Sequence, residues 1–424
     1  MSVTVHLKLT EWSEQLLEGV YLKDVTERKV AQKLTDSGIL EILEMRKGVL
    51  IRSNSFVGRL SLGGIHIQIT PKLNGLPLIT LLQYTYGLKN LKLFHYANFD
   101  VDNLNFIDLL IYTLYSYAES LFKQGFIKGY TLFESDLPCV KGRIDMNRLA
   151  SQGGTVEACL PCKYYERTEN TLLNQVLLAG LRLAGMVASD INLRHDVMRL
   201  SDQLSMLAEE IRLSRSILDV AQRSISRLND MYKPTLELIN ILFETQSIQF
   251  EEGEERISLP GYFFDMNMFF ETLVSKLLKS LQDEYFVIDQ YHLGMLFSYD
   301  IKCNPKGKRS PTPRPDFALF KNGSVVQLLD AKYRDLWDRN LPRDMLYQLA
   351  VYAVSGIGNS SATILYPAMN GMPVLQQINI KNPLSKETMA RVFLKPIDLM
   401  RVAELIKNND KNQLSKYIRD IICS

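Results

Sequence analysis

A candidate β-hairpin around Asn322-Gly323 constrains this chain more than any other stretch. Two strand-like segments, residues 314–321 and 324–333, flank the Asn-Gly pair, which is a strong short-range signal for a hairpin turn. The second segment begins with a largely apolar run of the kind that is buried on both faces, and it ends in Asp330-Ala331-Lys332. Charges at the end of a buried strand need compensation, and a metal ion would provide it.

The length of the hairpin loop decides whether Asp316 joins this group. Asp330 and Lys332 are two residues apart on one strand, so they project from the same face. A two-residue loop would pair Asp316 with Leu329 and turn it to the opposite face. A three-residue loop with Gly323 in the left-handed region would shift the register by one and place Asp316 beside Asp330. A Mg²⁺ site needs the second register, so we expect the three-residue loop.

The spacing of these residues resembles a known signature. Pro315-Asp316, thirteen intervening residues and Asp330-x-Lys332 are similar to the motif of PD-(D/E)xK nucleases. The predicted order of helix, strands, hairpin, helix and strand matches the αβββαβ core of that restriction-endonuclease-like superfamily. Gln348-x-x-x-Tyr352 resembles the QxxxY motif of several of its branches, and Glu271 resembles an additional acidic residue that many members carry.

Segments outside this region are similar to the McrC family, the nuclease subunits of McrBC-type modification-dependent restriction systems. They are residues 57–62 and 67–72 near the N-terminus, and residues 141–145 and 167–174 in the middle of the chain. The resemblance therefore spans most of the sequence.

The resemblance implies a Mg²⁺ site, with Mn²⁺ as the alternative ion. Asp316 and Asp330 would hold the metal, helped by the Ala331 carbonyl and by Glu271. Lys332 would orient the attacking water or stabilise developing negative charge. Taken singly, each of these residues is also consistent with an ordinary solvated strand end.

Residues around this site are candidates for contacts with DNA. Gln348 and Tyr352 are four apart on one helix face, where they would brace the site or touch a phosphate, and helix packing is the alternative role. A loop rich in Pro, Gly and basic residues precedes the hairpin, and a solvated insertion is the alternative to a role in neutralising phosphates. Its candidate DNA-binding residues are Lys306, Lys308, Arg309 and Arg314.

The sequence contains no Gly-x-x-x-x-Gly-Lys-Ser/Thr motif, so we expect nucleotide hydrolysis to belong to another protein. The McrC resemblance implies that this partner is an AAA+ GTPase ring, that the chain stimulates its GTP hydrolysis, and that the substrate is double-stranded, modified DNA. Two alternatives stay open. The first alternative is a stand-alone PD-(D/E)xK nuclease that acts in repair. The second is a non-catalytic regulator of an AAA+ ring.

Length and patterning predict a multidomain protein of the α+β or α/β class with three domains. Residues 1–104 form an α+β module without a catalytic constellation, to which we assign partner docking. Residues 105–250 are mainly helical, with an arginine-rich helix face over residues 201–232. Residues 251–424 hold the nuclease core, and the acidic stretch 249–258 is predicted to be a solvated linker.

Charge and hydropathy limit the partners. The net charge is +2, so any nucleic-acid surface must be a local patch. No run of about eighteen apolar residues and no signal-peptide pattern occur, so we expect a cytoplasmic protein that does not bind membranes. The five cysteines, an odd number, argue against a disulfide framework.

Overall fold

The structure is a computed structural model that describes residues 5–73, 75–87, 106–151, 159–244, 249–252, 255–258, 261–294, 296–304, 306–369 and 373–423. Its strands are β1 (Val5–Thr10), β2 (Glu14–Glu18), β3 (Leu40–Met45), β4 (Gly48–Ser53), β5 (Phe56–Leu62), β6 (Ile65–Thr70), β7 (Gly129–Leu137), β8 (Arg143–Ile144), β9 (Leu160–Thr168), β10 (Gln249–Glu252), β11 (Glu255–Ser258), β12 (Gly261–Asp265), β13 (Phe286–Asp289), β14 (Phe317–Lys321), β15 (Ser324–Ala331), β16 (Ser361–Ala368), β17 (Gln376–Lys381) and β18 (Thr388–Asp398). Its helices are α1 (Val25–Asp36), α2 (Gly75–Tyr86), α3 (Phe106–Gln124), α4 (Met146–Ser151), α5 (Leu172–Val187), α6 (Ile191–Ser205), α7 (Arg215–Arg223), α8 (Lys233–Glu244), α9 (Met266–Lys279), α10 (Arg343–Val354), α11 (Leu399–Lys407) and α12 (Lys411–Cys423).

The described chain divides into two compact units, which confirms a mixed α/β multidomain fold. One unit combines the residues up to 87 with those from 249 onward, and the other contains residues 106–244. In the described chain the division between the two units falls between residues 244 and 249. The predicted boundary at 104 does not separate the N-terminal module from the region that contains Asp316 and Asp330, because both belong to the first unit.

A four-stranded sheet in the order β1-β6-β5-β12 joins the two sequence segments of the first unit. Strand β12 comes from the second half of the sequence and pairs antiparallel with β5 of the N-terminal module. Gly58 permits this pairing, because a Cβ atom there would lie 2.0 Å from the Tyr262 carbonyl oxygen. Ile65, Ile67 and Ile69 alternate along β6 and are buried, as their sequence spacing predicts.

A six-stranded mixed sheet in the same unit carries the candidate site, in the order β13-β14-β15-β16-β18-β17. Strands β15, β16 and β18 are parallel, whereas β13, β14 and β15 form an antiparallel meander. Helix α10 covers one face, where Leu349 and Tyr352 pack with Leu328, Ile364 and Val392 in the hydrophobic core.

The hairpin has the predicted register, but a β-bulge produces it and not a longer loop. Its loop has two residues, Asn322 and Gly323, both at positive φ (51° and 79°), and Lys321 pairs with Ser324. The predicted three-residue loop is therefore wrong. A β-bulge at Val326 instead shifts the pairing by one residue, so that Leu319 faces Gln327. Continued by one position, this register sets Asp316 opposite Asp330.

Two other segments can be compared with the sequence predictions. The acidic stretch 249–258, predicted to be a solvated linker, contains an antiparallel hairpin of β10 and β11. The arginine-rich segment 201–232 is not one helix, because α6 ends at Ser205 and α7 covers only Arg215–Arg223. The proposed arginine face is thus interrupted by the non-helical residues 206–214.

The second unit is mainly helical, with a small sheet in the order β7-β9-β8. Helix α5 is buried along most of its length, and Gly180 allows close approach to α8, since a Cβ there would lie 2.4 Å from Ile239 Cγ1. None of the described helices is both long and apolar enough to cross a membrane.

Candidate active site

Asp316 and Asp330 meet at the open end of the hairpin. Both side chains are buried, with 7% and 1% of their surface exposed. The Ala331 backbone N–H donates to Asp316 Oδ2 at 2.9 Å, and the Asp316 N–H donates to Asp330 Oδ1 at 3.3 Å. The two carboxylates are therefore oriented by the backbone of the opposite strand.

Lys332 places its ammonium between the two carboxylates. Its Nζ lies 3.0 Å from Asp330 Oδ2 and 3.4 Å from Asp316 Oδ2. The Lys332 backbone N–H donates to the Leu365 carbonyl of β16 at 3.0 Å, which fixes the chain where β15 ends. The three residues of the candidate signature therefore form one cluster.

Burial and like charge determine the protonation of this cluster. Burial, and next the charge of Asp316, raise the pKa of Asp330 to about 6. Burial lowers the pKa of Lys332, but the two carboxylates raise it by more, so this pKa is above that of a free lysine. A second cation beside the carboxylates would relieve their repulsion and favour the ionised form of Asp330.

Glu271, on α9, is connected to this cluster through Gln290, which the sequence did not reveal. Gln290 Nε2 donates to Glu271 Oε1 at 2.6 Å and to Asp316 Oδ1 at 3.3 Å. Its backbone N–H donates to the Asp316 carbonyl at 2.7 Å, and its φ is +50°. Burial, and next Asp316, raise the pKa of Glu271. The only local feature that marks Gln290 is its position directly after β13, which ends at Asp289.

Gln348 and Tyr352 form a hydrogen-bonded pair on α10. Gln348 Nε2 donates to the Tyr352 hydroxyl at 2.7 Å, and Tyr352 is buried. Burial, and next the charge of Asp330, raise the pKa of Tyr352 to about 12. The two residues also line an open groove with Arg314, which gives the pair both a packing role and access to solvent.

The other predicted DNA-binding residues lie in the loop before the hairpin. Lys306, Lys308, Arg309 and Arg314 are exposed, and within the described part of the chain none forms an ion pair. Asn304 holds the loop by exchanging hydrogen bonds with the Lys308 backbone, at 2.8 and 2.9 Å. Only Arg314 lines the groove beside Gln348 and Tyr352.

The donor set can be tested against a metal ion. Among the described residues, no group of three or more His, Cys, Asp or Glu side chains lies close enough to share an ion. Asp316 and Asp330 are two converging oxygen donors, which suit a hard cation that takes its remaining ligands from carbonyls and water. The residues therefore fit Mg²⁺ held by two carboxylates, with Glu271 connected through Gln290.

Comparison with known proteins shows which family and which solved structures this chain is similar to. A family model described as "McrBC 5-methylcytosine restriction system component" matches residues 51–367. A chain in a half-complex of Thermococcus gammatolerans McrB AAA+ hexamers with bound McrC is similar, with a TM-score of 0.59 at 20% identity over 96% of this chain and 100% of that chain. A chain in a cryo-EM structure of the Thermococcus gammatolerans McrBC complex has a TM-score of 0.46 at 19% identity, over 66% of this chain and 89% of that chain. A search of curated proteins found no match.

Proposed function

Because the chain belongs to the McrC family of McrBC 5-methylcytosine restriction system components, we propose that it is the subunit that cleaves DNA. The reaction is Mg²⁺-dependent hydrolysis of a phosphodiester bond in a PD-(D/E)xK core formed by α9, β13 to β16 and α10. The observation that carries this proposal is the convergence of Asp316, Asp330 and Lys332 at the end of one hairpin.

Each residue of the site has a distinct part in this reaction. Asp316 and Asp330, with the Ala331 carbonyl, would hold the metal, which when bound would lower the pKa of a water and offset charge on the phosphate. Lys332 keeps its proton, so its ammonium orients the attacking water or stabilises the developing charge. Glu271 and Gln290 keep Asp316 in its orientation through their shared hydrogen bonds.

The groove beside the site is proposed to hold the DNA backbone. Arg314 and Gln348 line it, and Tyr352 forms its inner wall. Lys306, Lys308 and Arg309 are exposed cations on the preceding loop, which can neutralise neighbouring phosphates.

We further propose that the chain acts with an AAA+ GTPase ring, stimulates its GTP hydrolysis and cuts modified double-stranded DNA when the ring activates it. The support is the family membership together with the fold, which is similar to a chain in a complex of McrB AAA+ hexamers with bound McrC. Two buried carboxylates with an ammonium are costly to keep unless they have a chemical role, which favours the nuclease over a non-catalytic regulator.

The test is cleavage of methylated double-stranded DNA by the purified chain with its partner GTPase, GTP and Mg²⁺, with and without a chelator. We expect cleavage that needs the partner and stops when the metal is removed. Cleavage without the partner would support a stand-alone nuclease. GTPase stimulation without cleavage in any divalent metal would support a non-catalytic regulator.

A further inference from the structure

A recess with mixed polar and apolar walls lies beside the N-terminal module, where the chain leaves β15 and β16. It is lined by Glu11, Trp12, Arg334, Trp337 and Tyr366, among others. Its volume of about 70 Å³ is several times the roughly 10–15 Å³ that one water needs by the same measure. A molecule of several non-hydrogen atoms can therefore enter it.

Four buried polar atoms of these lining residues have no hydrogen-bond partner among the described residues. They are Glu11 Oε2, Trp12 Nε1, Arg334 Nε and the Tyr366 hydroxyl. Burying such a group without a partner is unfavourable, so four of them around a single recess destabilise the folded chain unless a ligand or water completes their hydrogen bonds. The recess therefore contains the side chains of a site whose hydrogen bonds are not completed by the protein itself.

The backbone of Trp12 is strained, and two arginines contact this residue, one at its carbonyl and one at its ring. Its φ is +59°, a left-handed conformation that bulky side chains rarely adopt. Arg339 donates to the Trp12 carbonyl at 2.8 Å, and the Arg334 guanidinium lies 5.2 Å from the Trp12 ring centroid. Strained residues persist where the surroundings over-determine them, and ligand sites are one such place. This observation is independent of the missing hydrogen bonds.

Two hydrogen bonds from neighbouring residues hold the Glu11 carboxylate in place. The Lys72 backbone N–H and the Tyr333 hydroxyl both donate to Glu11 Oε1, each at 2.7 Å. These two bonds leave Oε2 as the carboxylate oxygen of Glu11 that has no partner among the described residues. The residues that line the recess thus include one carboxylate acceptor, two N–H donors and one hydroxyl without partners, together with the aromatic side chains of Trp12, Trp337 and Tyr366.

This combination selects a planar ligand with both donors and acceptors along one edge. Aromatic rings and guanidinium planes stack on nucleobases, and a carboxylate accepts a hydrogen bond from an exocyclic amino group. The N–H groups of Trp12 and Arg334 can donate to a neighbouring ring nitrogen or carbonyl oxygen. We propose that the recess binds a nucleobase that carries an exocyclic amino group, with Glu11 accepting from that group.

Such a base has two sources, a free nucleoside or nucleotide and an unpaired base of DNA bound at the neighbouring site. The recess adjoins the candidate active site in sequence, since Tyr333 and Arg334 directly follow Lys332. The DNA source rests on the proposed nuclease function, whereas binding of a free nucleoside does not.

The two tryptophans of the chain, Trp12 and Trp337, both line the recess, so intrinsic tryptophan fluorescence reports on it directly. The full-length chain is titrated with cytidine, adenosine and uridine. We expect saturable changes with cytidine and adenosine at concentrations about tenfold lower than with uridine, which lacks the amino group. Glu11→Gln replaces the acceptor with an amide and should abolish or reverse this preference. Glu14→Gln, an exposed substitution three residues away, should leave it unchanged.

A second variant keeps the test valid if Glu11→Gln does not fold. Tyr366→Phe removes only a hydroxyl that has no partner in the described structure, so we expect it to fold and to bind cytidine more weakly. No fluorescence change with any nucleoside would mean that the recess holds water only, and the proposal would be overturned. Equal binding of cytidine and uridine by the wild type and by both variants would overturn it as well.

Binding of DNA duplexes with and without one unpaired cytosine distinguishes the two sources of the base. It is measured with the Asp330→Asn variant so that no strand is cut. Binding that requires the unpaired base supports an extruded base, and binding of nucleosides alone supports a free nucleotide. Absence of DNA cleavage in the separate assay with the partner would count against the nuclease and not against this recess.

Discussion

Asp330 is the residue at which the proposed function and the stability of the fold make opposite demands. Its carboxylate is almost fully buried, and its raised pKa of about 6 shows that the folded chain disfavours the charged form. We predict that Asp330→Asn abolishes cleavage but raises the free energy of unfolding at pH 8 without metal, by on the order of 1 kcal/mol. Chemical denaturation and circular dichroism measure this change. A structural role alone would instead predict a loss of stability.

Glu11 gives a prediction about pH. Burial raises its pKa from 4.5 to about 7, so the folded chain binds this proton more tightly than the unfolded chain. The resulting stability is fully present below pH 4.5 and is lost as the pH rises towards 7. We predict that between about pH 5 and pH 8 the free energy of unfolding falls by on the order of 2–3 kcal/mol more in the wild type than in Glu11→Gln. Parallel pH profiles for the two proteins would contradict the account.

Sequence spacing predicted most of the site's members but not how they are connected. Asp316, Asp330 and Lys332 belong to a motif of fixed order, so their convergence could be predicted once a register was assumed. Gln290 could not be found, because its role depends on a positive φ and on α9 and β14 meeting at its side chain. The recess around Glu11 depends on strands far apart in sequence and left no local signal.

At the scale of elements, the hairpin shows why register is hard to predict. A residue inserted in the loop and a residue bulged from the strand give the same pairing beyond the insertion. The Asn-Gly pair favours a two-residue turn, and the extra residue therefore appears as a bulge at Val326. The sequence thus determined which carboxylates meet, whereas the place of the irregularity depended on how β15 packs against β14 and β16.

The turn itself gives a stability prediction. Gly323 has a φ of +79°, and a Cβ added there would have no atom within 4 Å, so any cost of a side chain is conformational. Gly323→Ala should lower the free energy of unfolding by about 1 kcal/mol. Gly294→Ala is the matched control, because it is equally open and its φ is not positive, and its effect should stay within about 0.5 kcal/mol. Equal effects of the two substitutions would argue against the turn geometry.

At the scale of the whole molecule, the N-terminal module and the region of the candidate active site share one core. Strand β12 pairs with β5, the Met266 N–H donates to the Ser55 carbonyl, and the Tyr333 hydroxyl donates to Glu11. The sequence suggested a separate docking module, because each of the two regions has its own amphipathic pattern. Such a pattern does not show which strands of the two regions pair with each other.

A truncation tests this shared core. We predict that residues 249–424 alone lose cooperative unfolding, because β12 and Tyr333 lose their partners. Co-expression with residues 1–90 should restore a folded complex that co-purifies, with co-expression of residues 103–248 as the control. If residues 249–424 alone unfolded with the same free energy as the full chain, the shared core would be refuted.

DNA cleavage by matched aspartate variants tests the central claim most directly. Asp330→Asn removes one carboxylate of the site, and Asp420→Asn makes the same change at an exposed position of α12. Both are assayed with the partner GTPase, GTP, Mg²⁺ and methylated DNA, at matched concentration and with folding checked by circular dichroism. We predict wild-type cleavage for Asp420→Asn and none for Asp330→Asn, with GTPase stimulation retained in both. Wild-type cleavage by Asp330→Asn would show that the chemistry occurs elsewhere.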